Sequence, residues 1–73
     1  MYMIKCIPTP KTATERNPKV MYYEDTWESG TVLYNTSKQQ AKKFNTRLEA
    51  EEVANPLLVA GKIISYMIIA EEN

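Results

Sequence analysis

The 73 residues contain no histidine. That removes the commonest general base, the commonest nitrogen ligand for transition metals and the one side chain that titrates near neutrality unaided. A single cysteine, Cys6, excludes an internal disulfide and any zinc site built on cysteines. Only two glycines are present, Gly30 and Gly61, too few for a phosphate loop of the Walker or dinucleotide type. Ser29, Ser37 and Ser65 have no histidine to activate them and no nucleophile elbow around them. Charge of one sign is lacking as well. Nine Lys and Arg balance nine Asp and Glu, which argues against a chain built mainly to sit on nucleic acid or an anionic membrane. No apolar run approaches the roughly 20 residues that span a bilayer, and Met1 to Pro8 does not read as a secretory signal. These absences lead to a cytoplasmic protein that is not an enzyme and uses neither metal nor cofactor.

What is present is the composition of a globular domain, 44% hydrophobic and 25% charged. The length predicts one domain over residues 1–73, near the lower limit for a single core. A chain this small buries only about 60% of the surface its unfolded form exposes. Cys6 sits in an apolar run and reads as a small buried hydrophobe before it reads as a reactive thiol.

Tyr2 to Ile7 predicts a first strand, ended by Pro8 and Pro10 because proline cannot donate to a ladder. Thr9 to Lys19 is polar and rich in turn formers, and reads as a surface loop. Val20 to Tyr23 and Thr31 to Tyr34 predict two strands joined as a hairpin, with Gly30 supplying a positive φ. Trp27 either belongs to that turn or extends the second strand. Asn35-Thr36-Ser37 offers a cap for one helical turn through Ala41.

The strongest local signal follows. Thr46 and Glu49 have the T-x-x-E spacing of a capping box, in which two orphan backbone donors are satisfied reciprocally. Ala50, Val53, Ala54 and Leu57 then repeat at helical spacing as one apolar stripe, and Gly61 stops the helix. Asn55-Pro56 predicts a kink, or a second short turn over Pro56 to Ala60. Ile63 to Ala70 is too short and too β-branched for another helix and predicts a last strand. The order β-β-β-α-β defines a small α+β fold: an antiparallel sheet of three to four strands with one main helix on one face.

The run Ala41-Lys42-Lys43-Phe44-Asn45-Thr46, followed by Glu49-Ala50-Glu51-Glu52-Val53, resembles a group of small Gram-positive phage and prophage proteins. These carry a tyrosine-rich strand pair, often with a tryptophan, then A-x-x-F-x-T-x-x-E-A-x-x-V and a final apolar strand. The resemblance covers about residues 20 to 70 and departs at Asn55-Pro56, where the pattern usually continues helical. Most such proteins have no assigned activity, so the resemblance implies an accessory phage gene and carries over no catalytic residue.

Three surfaces are candidates for function. Glu24, Asp25 and Glu28 surround Trp27 and could dock a basic partner; the plainer reading is a solvated hairpin with Trp27 folded over the sheet edge. Lys38, Lys42, Lys43 and Arg47 form the one basic concentration, flanked by Tyr34 and Phe44, and could hold nucleic acid with stacking. Glu49, Glu51 and Glu52 follow within a Debye length and cancel much of that field, so a solvated face is the plainer reading there too. The third surface is the final strand. Alternation places Ile64, Tyr66, Ile68 and Ala70 on one face, and Ile63, Met67 and Ile69 on the other with Ser65. One helix covers one face. If the first strand pairs with the last, Met3 and Ile7 add to the uncovered side, and the Thr9 to Lys19 loop has almost no apolar side chains to cover it.

The expectation is therefore a small protein that binds a protein partner or forms a homodimer through Ile63, Met67, Ile69, Met3 and Ile7. Steric inhibition of a host enzyme or defence system is the expected action. A nucleic-acid-binding regulator using Lys38 to Arg47 is the alternative, and a structural oligomer subunit is the third.

Overall fold

Capping side chains, prolines and glycines set where each element begins and ends. The computed structural model describes residues 1–10 and 19–71. In chain order these form β1 (Tyr2–Pro8), β2 (Met21–Thr26), β3 (Val32–Asn35), a 3-10 turn (Lys38–Gln40), α1 (Arg47–Val59) and β4 (Ile63–Ala70). The strands make one sheet in the order β3-β2-β1-β4, with every pair antiparallel. Helix α1 packs against β4 and β1. This is the α+β arrangement that the order of sequence signals predicts, and the first strand does pair with the last. Residues 11–18, most of the expected Thr9 to Lys19 loop, lie outside the described residues.

Helix α1 starts where its cap says it should. Thr46 Oγ1 accepts from the Glu49 N–H at 3.1 Å. The return bond differs from the expected box, because the Glu49 carboxylate accepts from Asn45 N–H at 3.2 Å, one residue before the cap. Two donors are still satisfied, so the box works with a shifted partner. Thr46→Ala is expected to lower stability by about 1 kcal/mol, with a smaller loss for Glu49→Ala. Urea midpoints for the two variants check this, and unchanged midpoints would mean that the cap contributes nothing.

The C-terminus closes as a Schellman motif. Gly61, at φ +74°, donates its N–H to Leu58 C=O at 3.1 Å, and Lys62 N–H reaches Leu57 C=O at 2.9 Å. Between the two caps the helix is continuous. Asn55-Pro56 does not split off a second short turn over Pro56 to Ala60, and Pro56 lies inside Arg47–Val59. Pro56 and Glu52 are both exposed, so water can solvate the Glu52 carbonyl that proline leaves without its helical donor.

The hairpin turns at Trp27 to Gly30. Gly30 N–H donates to Trp27 C=O at 2.9 Å and Trp27 N–H to Thr31 C=O at 2.8 Å. Gly30 takes φ +90°, the left-handed position that such a three-residue loop needs. Trp27 is thus a turn residue, outside β2, and its side chain is exposed. One residue-register slip between Tyr23 and Asp25 marks a bulge at Glu24. Past it, residues 42–44 take the place of β2 beside β1: Lys42 N–H donates to Tyr23 C=O at 3.0 Å, and Phe44 and Tyr2 exchange two bonds of 2.8 Å. The hairpin also reaches the α1–β4 corner, where Tyr34 Oη donates to Lys62 C=O at 3.3 Å.

The core lies between α1 and the face of the sheet that carries Ile4, Cys6, Tyr23 and Ile68. Ala50 and Ala54 are fully buried; their small size lets the helix backbone approach the strands. Leu57, Phe44 and Ile63 complete the cluster, with the Tyr23 and Phe44 rings stacked at 6.3 Å. Val53 packs at its margin as the stripe predicts.

Strand β4 departs from simple alternation. Ile7 pairs with Ser65, but Pro8 pairs with Ile63, so Ile64 is an extra residue without a partner on β1. A proline cannot continue the ladder, and the resulting bulge reverses which side chain points inward. Ile63, expected on the uncovered face, is in the core and only 2% exposed. Ile64, expected inside, is 51% exposed. Met3 is a second correction: its side chain is 2% exposed although it belongs to neither the helix-facing row nor the main core cluster.

Candidate protein-binding face

Cross-strand partners in an antiparallel pair share a face. Met3 pairs with Ile69, Lys5 with Met67 and Ile7 with Ser65, and across β1 Lys5 pairs with Tyr22. This row lies opposite the one that meets α1, and no described helix packs on it. Met67 is its most exposed large apolar residue, at 61%. Ile7, Ile69 and Tyr22 are half-buried, and Val20 is exposed. A shallow trough of about 220 Å³ runs between them, lined by Lys5, Cys6, Ile7, Val20, Ser65, Tyr66 and Met67. Lys5 is the one charge in the trough; its stem can lie along apolar surface while the ammonium stays wet. Of the five residues expected here, Met67, Ile69 and Ile7 share a partly open apolar face. Met3 and Ile63 are covered.

Val20 and Tyr22 were not among the expected face residues. Alternation along β2 separates them from Met21 and Tyr23, but only the register to β1 shows which pair faces α1.

Cys6 belongs to the core side of β1. Desolvation pushes its thiol up to about 11, so it stays protonated and is a poor nucleophile at neutral pH. The Tyr34 hydroxyl is also raised, first by burial and then by Cys6 and Tyr23 nearby.

The acidic hairpin is a loose group. Asp25 Oδ1 accepts from Thr26 N–H at 2.8 Å. Glu24 sits at the bulge, half-buried, while Trp27 and Glu28 stand in solvent. The Trp27 residue is 55% exposed.

The basic group is partly neutralised in place. Lys43 Nζ donates to Lys38 C=O at 2.6 Å and lies 3.8 Å from the Glu71 carboxylate. Arg47 pairs with Glu51 one turn along α1, at 3.3 Å. Lys42 Nζ is 6.0 Å from the Phe44 ring centre, and Lys38 is exposed on the 3-10 turn. Two of the four cations therefore face carboxylates.

Among the described residues no three Asp, Glu or Cys side chains converge as a metal site, and no helix is long and apolar enough to cross a membrane. Comparison with protein-family models, with curated proteins and with solved structures gives no match.

Proposed function

We propose that this chain works by binding another protein through the open sheet face around Met67. The observation that carries the reading is an apolar trough flanked by exposed Met67 and Val20 on a face that no described helix covers. Fully burying one such side chain contributes about 1.5–3 kcal/mol. A stable interface needs about 800 Å² from each partner, roughly one seventh of the 5278 Å² that this chain exposes. The action is occlusion of a partner's surface and involves no chemistry. The order of tyrosine-rich hairpin, capped helix and last strand supports an accessory phage protein, and on that reading the partner is a host enzyme or defence protein.

The decisive variant is Met67→Lys. Its side chain is exposed, so the melting curve should stay within about 0.5 kcal/mol of wild type. Proteins that crosslink to the wild-type chain in host extract should be lost with Met67→Lys and kept with Val59→Lys, a still more exposed position at the end of α1. Identical crosslinking by all three chains would overturn the proposal, and so would equal loss in both variants.

A further inference from the structure

The free edge of β4 can be read group by group. Tyr2 spends both its N–H and its C=O on Phe44, so the Tyr2–Ala70 pair carries no ladder bond. Glu71 N–H donates to Met1 C=O at 2.7 Å on the next pair. Bonded and non-bonded pairs alternate in an antiparallel ladder. Ser65, Met67 and Ile69 therefore turn their backbone groups toward β1, and Tyr66, Ile68 and Ala70 turn theirs outward. β4 is the last strand of the sheet, and no described residue bonds to that edge.

Exposed edges are normally blunted by short length, charge, proline or a bulge. β3, the opposite edge, is four residues long. β4 has eight residues, IISYMIIA, with no charge and no proline, and its bulge lies at one end. The helix side of the edge adds one exposed apolar residue, Leu58. Tyr66 Oη donates to Asn55 Oδ1, which places that side of α1 over β4. Leu58 lies three residues further on the same side.

We infer that β4 pairs antiparallel with β4 of a second copy, making one continuous eight-stranded sheet with both helices on the same face. This inference rests on the backbone edge and is independent of the open face. The strand is its own best complement, since both copies bring an uncharged ladder and the chain's net charge is zero. Register follows from the outward groups, which meet only if even-numbered residues oppose even-numbered residues. Centring the two-fold on Met67 sets Tyr66 against Ile68 of the second copy and Ile64 against Ala70. It also leaves the bulged corner at the end of the ladder. The seven residues Ile64 to Ala70 make a ladder about 24 Å long, and with the sheet and the helix layer each about 10 Å deep the strip covers roughly 480 Å² per copy. Doubled, that comes to about the 1,000 Å² that separates real interfaces from incidental contacts.

The test is a charge swap at two positions that share a face and oppose each other across the two-fold, Ser65 and Ile69. Sedimentation equilibrium of the wild type at about 100 µM, above the micromolar affinities seen for modest interfaces, should give twice the chain mass. Ser65→Lys with Ile69→Lys sets like charges opposite each other on both sides of the two-fold and should give the chain mass with an unchanged circular dichroism spectrum. Ser65→Lys with Ile69→Glu sets opposite charges there and should restore the doubled mass. Ser65→Glu with Ile69→Glu repeats the like-charge arm should the lysine pair impair folding. A wild type at the chain mass overturns the inference, as does a doubled mass in the like-charge variants.

Discussion

Ile63→Ala is expected to cost about 2–5 kcal/mol, while Ile64→Ala, at the adjacent position, should stay within about 0.5 kcal/mol of wild type. The residues are chemically identical and share one strand, so propensity and hydrophobicity cannot separate them. Burial does. Ile63 is enclosed by the core that holds Ile4, Leu57 and Ile68, and truncating it leaves a cavity that a helix pinned by Ala50 and Ala54 cannot collapse to fill. Ile64 is the bulged residue, with half its surface in water. A domain of 73 residues has roughly 4–11 kcal/mol of stability, so Ile63→Ala should remove a large share of it. Urea denaturation of both variants measures the difference directly. Equal losses, or a larger loss at Ile64, would mean that β4 alternates without a bulge and that Met67 shares its face with Ile63.

That contrast marks where local sequence signals stop. Thr46, the alanine-rich stripe and Gly61 act within a few residues of themselves, and the helix they define is the one that forms. The limits of β4 were legible for the same reason, because Gly61 and a β-branched run bound it on both physical grounds. The bulge was not. It arises because Pro8, some 55 positions away in the chain, happens to be the cross-strand partner, and nothing near Ile63 announces a proline there. The target of the Glu49 carboxylate shifted by one residue through the same kind of detail, the path of the chain before the cap.

The candidate face was legible in kind and overstated in extent. Alternation correctly separated Met67 and Ile69 from Tyr66 and Ile68, as their partners on β1 show. It could not reveal that Met3 is covered or that Ile63 turns inward, because burial depends on every neighbour and alternation reports only direction. Val20 joined the face through register alone. The basic group illustrates the converse. Lys43 and Arg47 look like an open patch in sequence, and the fold sets a carboxylate beside each. Exposed pairs of this sort contribute little stability, about 0–1 kcal/mol, but they do reduce the local field available to a phosphate backbone.

Pro56→Ala is expected to stabilise the protein by about 1–2 kcal/mol. Proline in a helix interior costs about 3 kcal/mol relative to alanine, through the missing N–H and the clash of its ring with the carbonyl four residues earlier. Here the affected carbonyl is that of Glu52, on the exposed side of α1, and hydration recovers part of the loss. Proline also restricts the unfolded chain, which gives back about 0.4–1 kcal/mol that alanine would forfeit. The balance still favours alanine, because the helix continues past the site: Ala60 N–H donates to Pro56 C=O at 2.9 Å, and Leu57 remains in the core. Nothing in that packing requires a ring at the exposed position 56. For a domain of this size each kcal/mol moves the melting temperature by about 4–8 °C, so the variant should melt several degrees higher with a raised urea midpoint and an unchanged far-ultraviolet spectrum. A lower midpoint would show that α1 depends on the proline, most simply because the ring holds a curvature that seats Ala54 and Leu57 together against the sheet.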